Sequence, residues 1–250
     1  MYTDNYTDIH SHLLFGVDDG ARTLDESLKM LELASREGIT TIIATPHYGA
    51  ENGYAPDVRL IRDNFQTLRA GAAKAFPDLR LFLGSELYCA PGKVLRQVKQ
   101  GLALSMAGTK YLLLEFMEWG NHQESAEHIT KTMISIAGSE WTPILAHAQR
   151  YKGFKEKQNL YQSMAAAGVC LQINAYDLAD RPDDWIRENT RWLVKNKLAH
   201  FIGTDAHRPD RRRPVMRSGV NYLYDNCEEQ YADALVRDNA EKLLASGPMT

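Results

Sequence analysis

Seven short runs rich in β-branched, leucine and aromatic residues alternate along this chain with longer stretches of helical periodicity, and that alternation limits the possible folds most. The runs fall at 6–10, 39–45, 79–83, 111–116, 143–147, 169–174 and 199–204. Between them the helical stretches have identifiable ends. Thr23-Leu24-Asp25-Glu26 reads as a capping box, in which the Thr hydroxyl and the Glu carboxylate each satisfy an orphan amide, and Gly38 supplies the stop. Further helices are expected at 57–75, 123–138, 156–167 and 183–195, and also at 92–100, 216–225 and 228–245. Strands joined by crossover helices pair in parallel, because each crossover returns the chain to the same end of the sheet. Seven such units either close into a barrel or stay an open, doubly wound sheet.

The residues at the ends of the runs decide between these two. Six of the seven are followed at once by a side chain of metal-ligand type: Asp8-Ile9-His10-Ser11-His12, Ala44-Thr45-Pro46-His47, Gly84-Ser85-Glu86, Leu112-Leu113-Leu114-Glu115, Ile144-Leu145-Ala146-His147 and Gly203-Thr204-Asp205-Ala206-His207. An open sheet gathers its site at one switch point and uses few strand ends, whereas in a barrel every strand end faces one mouth. Ligand types after strands one to five and seven therefore predict an α/β chain closed like a barrel, with its site at the C-terminal face of the strands.

His10 and His12 are two apart, so on a continuing strand they leave the same face. Asp18 and Asp19 follow in a turn closed by Gly20. Asp-Asp-Gly alone is a common turn, but beside His-x-His one of the two becomes a ligand candidate. The full candidate set is His10, His12, Asp19, His47, Glu86, Glu115, His147, Asp205 and His207. One catalytic zinc takes about three protein ligands plus water, so this set implies two or three ions. Imidazole and carboxylate ligation without thiolate suits Mn²⁺, Fe²⁺, Zn²⁺ or Mg²⁺, and Glu86 is placed to bridge two of them. Closely spaced ions generate hydroxide from water near neutral pH and neutralise charge building on phosphoryl oxygens. Arg150, three residues after His147, and Arg212 or Arg213, just after His207, stand at the same rim, where a planar guanidinium suits phosphate. Taken singly, each arginine is as readily a solvated surface residue. His122, His128 and His200 read as surface or packing residues. Asn174 either hydrogen-bonds at the mouth or simply ends its strand, and Tyr151 and Tyr176 either serve the structure or stack on an aromatic substrate.

At 250 residues the chain can bury one large core, and no repeat or linker divides it, so a single domain over 1–250 is expected. The formal charge of -3, with no basic block beyond Arg211-Arg212-Arg213, predicts no nucleic-acid partner. The polar start Met1-Tyr2-Thr3-Asp4-Asn5 lacks a signal-peptide pattern and no run is long enough to span a bilayer, which predicts a cytoplasmic chain without membrane insertion. Three cysteines without CxxC spacing indicate neither a disulfide framework nor a thiolate zinc site.

As an ordered set, Asp-Ile-His-Ser-His, Asp-Asp-Gly, Ala-Thr-Pro-His at 44–47, Gly-Ser-Glu-Leu at 84–87, Leu-Leu-Glu-Phe at 113–116, Ile-Leu-Ala-His-Ala-Gln-Arg at 144–150 and Gly-Thr-Asp-Ala-His at 203–207 resemble the polymerase and histidinol phosphatase superfamily. More narrowly, the chain resembles the bacterial manganese-dependent protein-tyrosine phosphatases of capsular and exopolysaccharide loci, from about His10 to the tail at 239–243. The resemblance implies a distorted (β/α)7 barrel and a trinuclear centre. His10, His12, Glu86 and Asp205 would hold one ion, Glu86, Glu115 and His147 a second, and Asp19, His47 and His207 a third. Arg150 and Arg212 match the family's phosphate-contacting arginines. The implied substrate is phosphotyrosine on a tyrosine autokinase that controls polysaccharide chain length and export. A small-molecule phosphatase acting on histidinol phosphate is the alternative within the superfamily. A non-catalytic module of the polymerase-attached kind is disfavoured, since every expected ligand is present. Tyr48-Gly49-Ala50-Glu51-Asn52-Gly53-Tyr54 stands where basic residues are common in relatives, which bears on the protein substrate. A cysteine-based phosphatase requires Arg six residues after its Cys, whereas Leu95, Tyr176 and Asp233 follow Cys89, Cys170 and Cys227 at that spacing. The leaving phenol has a pKa of about 10, and Asp205 or His207 is the expected acid if the leaving group is protonated.

Overall fold

Period-two alternation along the strands selects the side chains that enter the centre of this molecule. The computed structural model describes residues 4–49, 53–89, 93–117, 124–181 and 184–247. Its strands are β1 (Tyr6–Ser11), β2 (Ile39–Ala44), β3 (His47–Tyr48), β4 (Arg80–Leu83), β5 (Glu86–Tyr88), β6 (Tyr111–Glu115), β7 (Thr142–Leu145), β8 (Cys170–Asn174) and β9 (Phe201–Gly203). All pair in parallel, in the orders β1-β2-β4 and β3-β5-β6-β7-β8-β9. β2 and β3 come from one expected run and its extension; Pro46, which has no N–H to donate, stands in the break. Ladder bonds nonetheless cross both interruptions, from Gly84 N to Ala44 O (2.8 Å) and from Glu86 N to Pro46 O (3.1 Å). β1 also meets the chain leaving β9, through Asp205 N to His10 O (2.7 Å) and His12 N to Ala206 O (2.8 Å). The observed architecture is thus α/β with parallel strands.

The helices are α1 (Leu24–Arg36), α2 (Val58–Ala75), α3 (Val94–Lys99), α4 (Ala126–Ala137), α5 (Asn159–Ala166), α6 (Ala175–Ala179), α7 (Trp185–Lys195), α8 (Arg217–Asn226), α9 (Glu229–Asp233) and α10 (Asn239–Ala245). Thr23, Asp57, Ser125 and Asp184 cap four of them with side-chain oxygens. The capping box of α1 is only half made. Thr23 Oγ1 accepts from Glu26 N (3.2 Å), but the Glu26 carboxylate takes the Arg22 amide (2.8 Å) and guanidinium instead of the Thr23 amide. The expected helix at 228–245 is broken by a π-helical turn at Ala234–Asp238, and α6 was not foreseen. The foreseen starts at 92, 123 and 183 lie outside the described residues.

An inner apolar layer contains Ile9, Ile43, Leu113, Ile144, Ala146 and Phe201, with Phe82 and Cys170 against it; Met106, Ala240 and Leu243 complete it. Counting on by two from these residues reaches the ligand end of nearly every strand: Ile43, Thr45, His47; Phe82, Gly84, Glu86; Leu113, Glu115; Cys170, Gln172, Asn174; Phe201, Gly203, Asp205. β1 departs from the count through an irregularity, its stretch Asp8 to Ser11 pairing with Ile42 to Ala44, one residue fewer. Such an extra residue swaps the faces of a strand, which is how Ile9 and His10 can both serve the centre.

Candidate metal centre

Glu86 is fully buried and its two oxygens touch four imidazoles. Oε1 lies 3.2 Å from His10 Nε2 and 2.9 Å from His147 Nε2; Oε2 lies 3.2 Å from His12 Nε2 and 3.0 Å from His47 Nδ1. Glu115 Oε1 also stands 3.2 Å from His47 Nδ1. Asp205 Oδ1 is 3.7, 3.5 and 3.6 Å from nitrogens of His10, His12 and His207. Asp19 Oδ1 is 3.7 Å from His47 Nε2 and 3.6 Å from His207 Nε2. All nine candidate ligands therefore converge. Three groups have donor atoms all within 4.8 Å of one another and could each hold an ion: His12, Asp19, His47 and His207; His10, His12 and Glu86; His47, Glu86 and Glu115.

The reading of Asp-Asp-Gly resolves into two different tasks. Asp18 turns inward, accepting from His12 Nδ1 (2.8 Å), Gly20 N (2.9 Å) and His47 N (2.9 Å). Asp19, about two-fifths exposed, faces the mouth. Gly20 is obligatory in that turn, since a Cβ there would come 2.0 Å from His12 O.

Hydrogen bonds behind the cluster set the imidazole tautomers. His147 N donates to Gln172 Oε1 (2.7 Å), so that atom is the amide oxygen, and His10 Nδ1 at 3.0 Å from it must carry a hydrogen. Asp18 does the same for His12 Nδ1, and Asp205 O for His207 Nδ1 (3.0 Å). His10, His12 and His207 thus turn their Nε2 atoms toward the centre, the arrangement by which outer groups orient metal-binding histidines. Gln172 and Asn174 continue the inward face of β8, a period-two signal present in the sequence that the search for ionisable ligands passes over. Asn174 Nδ2 donates to Asp205 Oδ2 (3.0 Å), which makes it a hydrogen-bonding residue of the mouth. Asp8, buried behind His10, accepts from Thr204 N (2.9 Å), Thr204 Oγ1 (2.5 Å) and His10 N (3.1 Å), and burial lifts its carboxyl to about 6.

His147 reaches the cluster by a different route from the one foreseen. β7 ends at Leu145, two residues early, and His147 lies at φ 32°, ψ 51°, which turns its ring inward. Asp205 (φ 53°) and Arg212 (φ 55°) share this left-handed geometry, which costs energy in residues other than glycine and concentrates at functional sites.

Burial works against charge in Glu86, but His10 and His47 hold it well below the ordinary carboxylate range; Asp205 is held down likewise, by Arg212, His10 and Arg150. Burial and His12 oppose protonation of His47, yet Glu86 and Glu115 lift it to about 10. A bound cation takes the place of such protons. At the rim, Arg150 Nη1 and Arg212 Nη2 lie 2.9 and 2.5 Å from Asp205 Oδ2, and Arg212 Nη1 donates to His207 Nε2 (3.1 Å). Asp205 is therefore an ionised acceptor and burial keeps His207 neutral, so this geometry lends no support to either as a general acid. All three of Arg211, Arg212 and Arg213 are exposed, but Arg212 is the one whose guanidinium reaches the cluster.

Tyr151 is 1% exposed and its hydroxyl accepts from Phe116 N (3.1 Å), which makes it structural, whereas Tyr176 is exposed. His200 packs, its Nδ1 accepting from Leu171 N (3.2 Å), and His128 pairs with Glu124 at the surface (3.0 Å); His122 lies outside the described residues. Of the loop 48–54, residues 50–52 lie outside them too, and the Tyr54 ring stacks on His47 at 5.4 Å. Burial pushes the Cys89 and Cys170 thiols up to about 12 and about 11, the reverse of an activated nucleophile. Among the described residues no helix is long and apolar enough to cross a membrane.

Residues 6–245 match the family model for capsular polysaccharide synthesis, CpsB/CapC. The chain is 28% identical over 242 residues to the tyrosine-protein phosphatase CpsB of Streptococcus agalactiae, covering 95% of this chain and 97% of that one. It is 30% identical over 245 residues to the tyrosine-protein phosphatase YwqE of Bacillus subtilis, covering 95% and 91%. Among solved structures it is similar to one from the pair YwqE of Bacillus subtilis and CpsB of Streptococcus pneumoniae, described as metal-dependent tyrosine phosphatases. The TM-score is 0.83 at 26% identity, over 98% of this chain and 96% of the other. A likeness of fold alone extends to a dihydropyrimidinase from Brevibacillus agri, with a TM-score of 0.58 at 11% identity over 97% of this chain and 71% of that one. The chain belongs to the CpsB/CapC family of capsular polysaccharide synthesis.

Proposed function

We propose that this chain is a metal-dependent protein-tyrosine phosphatase. The observation that carries the reading is one buried carboxylate, Glu86, set among four imidazoles, with two guanidiniums converging on Asp205 at the rim. In this reading His10, His12, Glu86 and Asp205 would hold one ion, Glu86, Glu115 and His147 a second, and Asp19, His47 and His207 a third. Ions held there, Mn²⁺ by family resemblance, would lower the pKa of bound water and neutralise phosphoryl charge. Arg150 and Arg212 exchange part of their hold on Asp205 for the phosphoryl oxygens, which a planar guanidinium binds in bidentate fashion. Gln172 and Asp18 keep the His10 and His12 rings oriented throughout. The phenolate leaves without a dedicated acid.

The proposal extends to a distorted (β/α)7 barrel, in which β2 with β3 and β4 with β5 each count as one interrupted strand, and to a single domain acting in the cytoplasm. It names a tyrosine autokinase of capsule or exopolysaccharide export as the substrate, by the same resemblance. The test is to assay the Mn²⁺-loaded protein on a tyrosine-phosphorylated peptide and on histidinol phosphate side by side, with Glu86→Ala as control. Faster turnover of histidinol phosphate would overturn the substrate, and full activity of the control would overturn the bridging role. Full activity with one bound ion would remove the trinuclear assignment.

A further inference from the structure

Beside the cavity over the cluster, which measures about 280 Å³, lies a larger one of about 860 Å³. The two share Arg150, Asp205 and Arg212 as lining, so they adjoin at the phosphate end of the site. The smaller falls just under the roughly 300–1,000 Å³ typical of ligand pockets, and the larger is near its upper end. In the phosphotyrosine reading the first would take the phosphorylated phenol ring, and the second is left without an occupant.

The lining of the larger cavity carries a definite chemistry. Its carboxylates are engaged: Glu37 Oε2 accepts from Met216 N (3.0 Å) and Arg217 N (2.9 Å), Asp180 takes the Ser218 hydroxyl, and Asp210 stands 3.6 Å from Arg208. Arg217 is tied to Asp4 and Arg36 to Glu32. Arg213 differs, being exposed and having no hydrogen bond or ion pair among the described residues. Tyr176 lines the same cavity at 40% exposure, and no other large aromatic side chain among the described residues is so exposed. An uncommitted guanidinium and a half-exposed phenol ring lining one cavity suit a peptide that carries negative charge.

We infer that this cavity receives the polypeptide flanking the phosphotyrosine, and that Arg213 and Tyr176 make it favour a flank bearing Asp or Glu. The inference rests on the phosphotyrosine reading above. A round cavity of this volume is on the order of 12 Å across, about three extended residues at ~3.4 Å each. The selected acidic residue therefore lies within about three positions of the phosphotyrosine.

The experiment uses the Mn²⁺-loaded protein and two phosphotyrosyl peptides, one with Asp and Glu at the three positions on each side and one with Asn and Gln in their place. Hydrolysis is followed by kcat/KM and binding by fluorescence anisotropy. The expected preference for the acidic peptide is about fivefold, the scale of a part-exposed ion pair. Arg213→Ala removes it, Arg213→Glu reverses it, and Tyr176→Ala weakens binding of both peptides. All three variants keep kcat/KM for p-nitrophenyl phosphate within twofold, which also reports that they fold. Equal treatment of the two peptides by the unaltered protein would overturn the inference, as would a preference that survives in Arg213→Glu. Absence of hydrolysis of either peptide would count against the phosphatase reading alone, because the anisotropy comparison still judges the subsite.

Discussion

Replacement of Gln172 by Met tests whether the groups behind the cluster govern its metal affinity. Met is close to Gln in length and fills the same space, but it cannot accept the hydrogen bonds from His147 N (2.7 Å) and His10 Nδ1 (3.0 Å). It also removes the bonds donated to Ile173 O (2.8 Å) and Asn174 Oδ1 (2.9 Å). The site is fully buried, so water cannot take over. Leaving two buried donors without an acceptor costs about 2–6 kcal/mol, which for a chain of this size lowers Tm by roughly 5–25 °C. Loss of the His10 tautomer control adds a fall of about 10- to 100-fold in metal affinity. Thermal unfolding of the metal-free protein reads the first quantity and Mn²⁺ titration calorimetry the second. Gln172→Glu separates them. It keeps an oxygen for His10 and His147, so affinity recovers, while its second oxygen meets the carbonyl of Ile173, so stability does not. Wild-type affinity in the Met variant, or equal loss in both variants, would refute the orienting role.

Gly20→Ala forces the His12–Asp18 turn to move, because the new Cβ would sit 2.0 Å from His12 O; metal titration should show weakened binding by at least tenfold, with the overall circular dichroism retained. Thr23→Ala removes the one capping bond that α1 makes at this position and should lower stability by about 1 kcal/mol in denaturant unfolding, with activity unchanged. Leu113→Ala hollows the inner layer beneath Glu115 and should cost about 2–5 kcal/mol by the same measurement, since Leu113 is fully buried.

The order of the candidate ligands and the strands that carry them are open to reading because both are local properties. A β-rich run followed by His, Asp or Glu needs only alternation to predict where the side chain points, and His47, Glu86, Glu115 and Asp205 obey it. His147 joins the same cluster by another route, since its direction comes from a left-handed residue beyond the strand and not from the strand itself. Gln172 lay on the same alternation, yet a neutral amide in a strand carries no sign of its own that it will meet two histidines from distant segments.

Residue types and their spacing were thus enough to specify an α/β chain of parallel strands with imidazoles and carboxylates gathered at one end, because hydrophobic period and strand-end chemistry act over a few residues. The division of labour between Asp18 and Asp19, the tautomers of His10 and His12, the choice of Arg212 over its neighbours and the adjoining cavity beside Tyr176 belong to the folded molecule. Each depends on which atoms distant segments bring within hydrogen-bond reach. A bond between residues 162 positions apart, such as that of His10 to Gln172, has no trace in local pattern.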